Sequence, residues 1–503
     1  MILINRNYRR AAFIALLVTT ALLFTFQAKP LCGYDLDQRV KKHVLSNGLT
    51  VLLFERHWNP TVSLYIRYRA GAVDEADGKT GTAHFLEHMM FKGTKTIGTK
   101  HYAEERKVLE KIAKIGRLLD AERGKKGKTD PTKVEALAAQ LTTYQKIHRN
   151  LMTSNEIDRL YTENGATNFN ASTGQDLITY HVNLPANKIE LWARIESDRM
   201  KNTVFREFFT ERDVVKEERR QRTESNPGGK LYEQFMAAAF IAHPYRRPIL
   251  GWPSDIQNLD MDYMIDFYRK THAPNNTVIA IVGSFESEHV LKLVRRYFGN
   301  IPKQPFPALV PTAEPRQQGE RRVTVRFDAN PQLIIGYHKP AAPAFDDYVL
   351  EVIESILSRG RTSRFYKRLV EEKGLAETVQ AINGLPAARY DNLFAIYATP
   401  RHPHTVHELE EAIFEELDLL QSTRVSETDL SKTKKQVKAD YLRSLLSNNG
   451  LASILSYYEA LLRDYRYASR HAETIETITS DDIQKAAKRY FHADNRTVAV
   501  LAK

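Results

Sequence analysis

The chain has 503 residues, of which 42% are hydrophobic and 27% charged, and its formal net charge is +12. This length predicts two or more domains, and this composition excludes an intrinsically disordered or collagen-like chain. Because the basic residues are spread along the chain and interleaved with acidic ones, we expect a solvated basic surface and no nucleic-acid partner. The single cysteine, Cys32, excludes an intrachain disulfide and a metal site built from several thiolates.

Residues 1–32 have the pattern of an export signal. Three arginines within residues 6–10 precede the uncharged stretch AAFIALLVTTALLFTF, residues 11–26. A basic segment followed by a short apolar run is typical of a signal peptide or an N-terminal anchor, and this run is short for a full membrane span. We therefore expect export to a bacterial periplasm, either with cleavage or as a protein tethered to the inner membrane.

The next segments predict strands and then a long helical insert. Residues 44–55 indicate two short strands around an Asn47-Gly48 turn, and residues 61–75 alternate as a half-buried strand does. A helix is expected to begin near Thr82. Residues 101–153 carry two charged helical segments, whose narrow apolar stripes predict a helical hairpin inserted into a domain.

An internal repeat predicts two homologous modules. The segments FYRKTHAPNNTVIAIVG (267–283) and AAKRYFHADNRTVAVLAK (486–503) both indicate a helix, a turn containing Asn and a β-branched strand. Prolines in residues 301–320 indicate an interdomain linker. The prediction is an α+β fold of two α/β sandwich modules, at 37–300 and 321–503, each an antiparallel-rich sheet packed with helices.

The segment TAHFLEHMMFKGT, residues 82–94, predicts a metal site. On a helix, His84, Glu87 and His88 share one face, so two imidazoles can hold one Zn²⁺ while the glutamate takes a proton from water beside it. The alternative is a surface helix with solvated histidines, but the neighbouring Phe85, Leu86 and Met89 predict a buried helix. Metal-dependent hydrolysis is the better interpretation.

A third ligand is expected from FFTERDVVKEERRQR, residues 208–222. Glu211 and Glu218 are seven residues apart and therefore lie on one helical face, whereas Glu217 points elsewhere.

With these motifs, the chain resembles the M16 metallopeptidases, the insulinase, pitrilysin and mitochondrial processing peptidase group. The resemblance runs from about residue 40 to the C-terminus, interrupted by the hairpin. It implies one Zn²⁺ per chain, with Glu218 as third ligand, Glu87 as the base and Glu211 as a supporting carboxylate. It also implies that Asn170 and Ala171, in NFNASTGQDLITYHVNLPAN (168–187), lie on an edge strand that binds an extended peptide by strand addition.

The second module departs from the family pattern. In LRxExxLxY the family supplies an arginine and a tyrosine to the active site, and here Val370 and Glu377 stand in their places. We therefore predict a heterodimer with a second M16-like chain that donates the missing pair, with a homodimer as the other arrangement. The competing function is a non-catalytic M16-like subunit that has a structural or peptide-binding role.

Overall fold

The computed structural model describes residues 36–125, 127–306 and 310–503. The predicted export signal and Cys32 lie outside these residues. Across the described ranges, every helix is too short or too polar to span a bilayer.

Two mixed sheets form the framework of the fold. The first has the strand order β1-β2-β6-β3-β5-β4, in which only β2 and β6 are parallel. Its strands are β1 (Lys41–Val44), β2 (Thr50–Glu55), β3 (Thr61–Tyr68), β4 (Thr167–Thr173), β5 (Ile178–Pro185) and β6 (Thr277–Gly283).

The second sheet repeats this connectivity. Its order is β7-β11-β8-β10-β9, with β7 and β11 parallel and the other neighbours antiparallel. Its strands are β7 (Arg321–Arg326), β8 (Gln332–Lys339), β9 (Ala376–Leu385), β10 (Asn392–Pro400) and β11 (Arg496–Ala502). The predicted α+β fold of two homologous modules is confirmed.

The repeated segment ends each module in the same way. Asn276 and Asn495 follow a helix, and the Nδ2 of each donates at 2.9 Å to a carbonyl five residues earlier, that of Thr271 and that of Tyr490. Each asparagine also donates to a neighbouring strand end, at Arg69 O and His338 O. The asparagine thus fixes the chain reversal that delivers β6 and β11 into their sheets.

Helices cover both sheets. In chain order they are α1 (Leu36–Arg39), α2 (Thr82–Met90), α3 (Tyr102–Arg123), α4 (Pro131–Leu151), α5 (Glu156–Glu163), α6 (Ile189–Asn202), α7 (Phe208–Arg219), α8 (Pro227–Ala239), α9 (Pro253–Gln257), α10 (Met261–Thr271), α11 (Ser287–Phe298), α12 (Phe345–Ser358), α13 (Val406–Ser422), α14 (Glu427–Ser444), α15 (Asn448–Leu462), α16 (Tyr467–Thr477) and α17 (Ser480–Tyr490). Wider π-helical turns occur at Arg220–Glu224 and Tyr366–Glu372.

Each module packs one of its helices on the sheet of the other module. From the first, α8 places Leu231 and Phe235 against Ile334 and Leu393 of the second sheet. In return, α15 packs Leu451 and Leu455 on the outer face of the first sheet. Strand β3 is therefore buried on both faces, where its alternating sequence predicts a half-buried strand. Burial of apolar surface across the two modules is a main force holding them together.

Helices α3 and α4 form an antiparallel hairpin, whose base is fixed by buried charges. Glu105 of α3 accepts from His148 of α4 at 2.8 Å and from Arg206 at 2.6 and 3.0 Å. Arg206 also donates to the backbone oxygens of residues 92, 94 and 97, just beyond α2. The hairpin is thereby attached to the segment that follows the candidate metal helix.

Candidate metal centre

Helix α2 carries the two histidines of the sequence motif. It begins after Gly81, whose φ of 88° allows the sharp entry into the helix, and residues 83–90 contain neither Gly nor Pro. Phe85, Leu86 and Met89 are fully buried in the first module's core. The remaining face presents His84, Glu87 and His88, because residues three and four apart project to one side.

Helix α7 brings the third ligand to this face. Glu218 Oε2 lies 3.6 Å from His84 Nε2 and 3.4 Å from His88 Nε2. The three ligand atoms lie within 4.8 Å of one another. Ligand atoms about 2.1 Å from a tetrahedral ion are about 3.4 Å apart, so the two separations from Glu218 fit Zn²⁺. Glu218 Oε2 is also buried with no hydrogen-bond donor among the described residues, as expected for an atom that faces a cation.

Glu211 supports the centre from two turns earlier in α7. Its Oε1 accepts a hydrogen bond from His88 Nδ1 at 2.9 Å, and its Oε2 pairs with Lys92 Nζ at 2.6 Å. A proton on Nδ1 leaves the lone pair of His88 Nε2 directed at the other two ligands. Glu217, in contrast, is exposed and pairs with Arg220.

The pKa values of the two histidines are shifted in opposite directions. Burial, aided by nearby His88, lowers the pKa of His84 to about 4, so its imidazole is neutral near pH 7. Burial also lowers the pKa of His88, but the nearby carboxylates of Glu211 and Glu218 outweigh burial and raise that pKa to about 9. A metal that binds at neutral pH therefore displaces a proton from His88.

Glu87 faces the edge strand of the first sheet. Its Oε2 accepts a hydrogen bond from Thr173 Oγ1 at 2.5 Å, at the end of β4. Burial raises the pKa of Glu87, although the Thr173 hydroxyl opposes this shift. A raised pKa makes the carboxylate a stronger base than an exposed glutamate.

Strand β4 carries Asn170 and Ala171 along the free edge of the sheet. These residues pair with His181 and Tyr180 of β5, and β4 has no neighbour on its other side within the described chain. Asn170 is exposed and Ala171 half-buried. Since β4 ends at the Thr173–Glu87 hydrogen bond, a peptide added to this edge would run toward the histidines.

Comparison with known families agrees with this geometry. The model described as insulinase (peptidase family M16) matches residues 50–124, and the model described as peptidase M16 inactive domain matches residues 258–437. The chain belongs to the M16 peptidase family. Among curated M16-like relatives, zinc protease PqqE of Helicobacter pylori is 26% identical over 465 residues, which cover 91% of each chain. An uncharacterized zinc protease, YmxG of Bacillus subtilis, is 20% identical and covers 90% of this chain and 96% of its own.

Solved structures show the same two-module M16 fold. A protease from Helicobacter pylori superposes with a TM-score of 0.78 at 23% identity, covering 92% of this chain and 99% of its own. The periplasmic protease PqqL from Escherichia coli superposes with a TM-score of 0.68 at 15% identity, covering 93% of this chain and 48% of its own.

The positions that align with the M16 arginine and tyrosine carry Val370 and Glu377 in the second module. Val370 packs against the second module's core, and Glu377 is exposed on the edge strand β9. The neighbouring Arg368 donates a hydrogen bond from Nε to Glu416 Oε1 at 3.1 Å. Like the sequence, the structure shows a metal half of the site without the second half at these positions.

Sequence reasoning missed several residues that contact the site or its helix, among them Lys92, Thr173 and Glu75. Lys92 pairs with Glu211, Thr173 donates to Glu87, and Glu75 accepts the N–H groups of Gly81 and Ala83 at the start of α2. Lys92 and Thr173 lie inside the quoted motifs, so the family resemblance could have found them. Glu75 precedes α2 by seven residues, and no local pattern marks it as the partner of that helix.

Proposed function

We propose that this chain is a zinc-dependent endopeptidase whose metal is held by His84, His88 and Glu218. The observation that carries the proposal is the convergence of the three ligand atoms within 4.8 Å, on the helix face that also presents Glu87. Relatives named zinc proteases, matched along about nine-tenths of the chain, support it.

The residues divide the chemistry of peptide hydrolysis among them. Bound zinc would polarise the scissile carbonyl and lower the pKa of water. Glu87, oriented by Thr173, would accept a proton from the attacking water and deliver it to the leaving amine. Glu211 would keep His88 in the tautomer that binds metal through Nε2.

The substrate would be a peptide or an unfolded polypeptide bound as an added strand on β4. The free edge at Asn170 and Ala171 supports this mode, because main-chain groups there can pair with any extended segment. Strand addition depends little on side chains, so the enzyme would accept varied sequences.

We also propose that peptidase activity belongs to a complex of this chain with a second M16-like chain, and not to the single chain. With Val370 and Glu377 at the positions of the arginine and tyrosine, a second M16-like chain would supply groups that stabilise the oxyanion. A homodimer is the alternative arrangement. If the purified single chain cleaved peptides as fast as a co-expressed pair, the need for a partner would be refuted.

Export is supported by the N-terminal sequence and by a structural neighbour described as periplasmic. We infer that the protein works in the periplasm, released or tethered at its N-terminus. Sequencing the N-terminus of the exported protein distinguishes cleavage from retention.

The function is tested by measuring zinc content and peptidase activity on one preparation. We expect wild type to hold one zinc and, when co-expressed with its M16-like partner, to cleave a quenched peptide library. Under the same conditions Glu87→Gln should keep the metal and lose activity. Glu218→Gln should lose metal, whereas its exposed neighbour Glu217→Gln should behave as wild type. Zinc-free wild type would overturn the proposal.

The second candidate function is a non-catalytic subunit that binds peptides or has a structural role. The replacements at Val370 and Glu377 favour it, since they remove two groups that the family uses in catalysis. Zinc-loaded chain that stays inactive with every M16-like partner from the same cell would support this candidate.

A further inference from the structure

A loop of the second module contacts two segments of the first module that in turn bind helix α2 and Glu87. The loop joins β9 to β10 and spans residues 386–391. The backbone N–H groups of Ala388 and Arg389 donate to Asp176 Oδ2 at 2.9 and 2.7 Å. Tyr245 donates to the other oxygen of Asp176 at 2.7 Å. The buried Asp176 carboxylate is thus bound by groups from both modules.

The Arg389 side chain binds two segments of the first module together. Its guanidinium donates twice to the Asp74 carboxylate, at 2.9 and 3.1 Å, and once to the backbone oxygen of Asp176. The Arg389 side chain is 16% exposed and that of Asp74 is 6% exposed. Both contacts to Asp74 come from Nη1, whereas Nη2 donates to Asp176. The desolvated guanidinium therefore bridges the two segments through different nitrogens of one rigid plane, which fixes their relative orientation.

The first of these segments controls the start of the metal helix. Glu75, next to Asp74, accepts the N–H of Gly81 at 2.9 Å and that of Ala83 at 2.6 Å. These donors lie at the N-terminus of α2, where Gly81 has no side chain to accept them. A shift of residues 74–75 would therefore move the turn that carries His84.

The second segment controls the proposed base. Thr173, which donates to Glu87, lies three residues before Asp176. The two segments also bind each other, because Ala72 N donates to Gly174 O at 3.1 Å and Val73 N to Gln175 O at 3.0 Å. Their approach is so close that a Cβ on Gly71 would lie 2.3 Å from Gln175 O.

We propose that Arg389 is a positioning residue for the metal centre. Through Arg389 the second module holds helix α2 and also Thr173, the hydrogen-bond partner of Glu87. The exchanged helices α8 and α15 bury apolar surface between the modules independently of this loop. Loss of Arg389 therefore leaves the modules associated and disturbs the frame of the site. The catalytic consequence rests on the proposed function, but the effect on α2 does not.

The test compares Arg389→Gln with Arg496→Gln. Arg496 has a similar exposure of 19% and pairs with Glu320, which directly precedes the second module, so its loss removes an ion pair of a similarly shielded arginine away from the site. We measure amide hydrogen exchange of residues 82–90, zinc affinity by chelator competition, and kcat and KM separately.

We expect Arg389→Gln to speed exchange in residues 82–90 and to weaken zinc binding about tenfold, the size of effect seen for outer partners of metal ligands. The value of kcat should fall more than KM rises. Adding Asp74→Asn should recover part of the zinc affinity, because it removes the buried charge left without its partner. Should Arg389→Gln fail to fold, Arg389→Lys is compared instead, because it keeps the charge but has one nitrogen in place of the two that bridge Asp74 and Asp176.

Exchange and zinc affinity equal to those of Arg496→Gln would overturn the proposal. If wild type binds no zinc, the proposed function fails, while hydrogen exchange of residues 82–90 still decides whether Arg389 positions the helix. Faster exchange in both modules alike would also refute it, since that result describes a general loss of stability.

Discussion

The buried charge cluster at the base of the helical hairpin gives a stability prediction with a defined pH dependence. The perturbation is Glu105→Gln, which keeps the shape of the side chain and removes its charge. Glu105 and Arg206 are each 0% exposed, and His148 is 2% exposed. The substituted amide would place an N–H donor against the donors of Arg206 and leave that guanidinium without its carboxylate.

The magnitude follows from the pKa of Glu105. Burial raises this pKa, but hydrogen bonds with His148 and Arg206 outweigh burial and lower it from 4.5 to about 2. One pKa unit is about 1.4 kcal/mol, so the charged carboxylate stabilises the hairpin by about 3 kcal/mol at neutral pH. Breaking a buried ion pair on one side costs about 3–5 kcal/mol, which is consistent.

The pH dependence has a definite sign. Because the pKa of Glu105 is lower in the folded protein, its stabilisation is present above the unfolded value of 4.5 and is lost as the pH falls toward 2. The difference between wild type and Glu105→Gln should therefore be constant from pH 7 to about 5.5 and shrink below about 4.5.

Amide hydrogen exchange in residues 102–151 is the assay, since it reports local opening of the hairpin. At pH 7, Glu105→Gln should exchange on the order of a hundredfold faster than wild type, and the ratio should be about tenfold smaller at pH 3.5. The exposed neighbour Glu104→Gln is the matched control. Equal exchange in the two variants, or a ratio independent of pH, would refute the reasoning.

Three further outcomes are expected. Phe235→Ala opens a cavity between α8 and the second sheet, so it should lower the free energy of unfolding by about 3–5 kcal/mol in urea denaturation. A loss below about 1 kcal/mol would argue against the packing of α8 on the second module's sheet. Asn276→Ala and Asn495→Ala should each cost about 1–3 kcal/mol by the same measurement, because the two asparagines make equivalent bonds; a cost at only one would contradict the repeat. Glu211→Gln should weaken zinc binding about 10–100-fold in chelator competition, with exposed Asp213→Asn unchanged as its control.

The sequence determined those features that depend on residues close together in the chain. His84, Glu87 and His88 share a face because the helical period places them there, whatever surrounds the helix. Glu211 and Glu218 share a face for the same reason. The internal repeat predicted the equivalent helix–turn–strand units that end at β6 and β11, since each unit is set by its own turn and β-branched residues.

Only the tertiary structure decided which element covers which face. The alternation in β3 predicted one exposed face, but α15 covers it, and Arg67 donates to Ser453 and Ser456 of that helix. A hydropathy pattern reports the polarity of a face and not the identity of its neighbour.

The same limit applies to the frame of the metal centre. Asp74 and Arg389 are separated by 315 residues and meet because a loop of one module enters the other. The sequence around Asp74 and the sequence around Arg389 contain no pattern that predicts this contact. The identity of the metal ligands follows from residue spacing within single helices. The alignment of these ligands with the base depends on contacts between the two modules, which form only when both modules are folded.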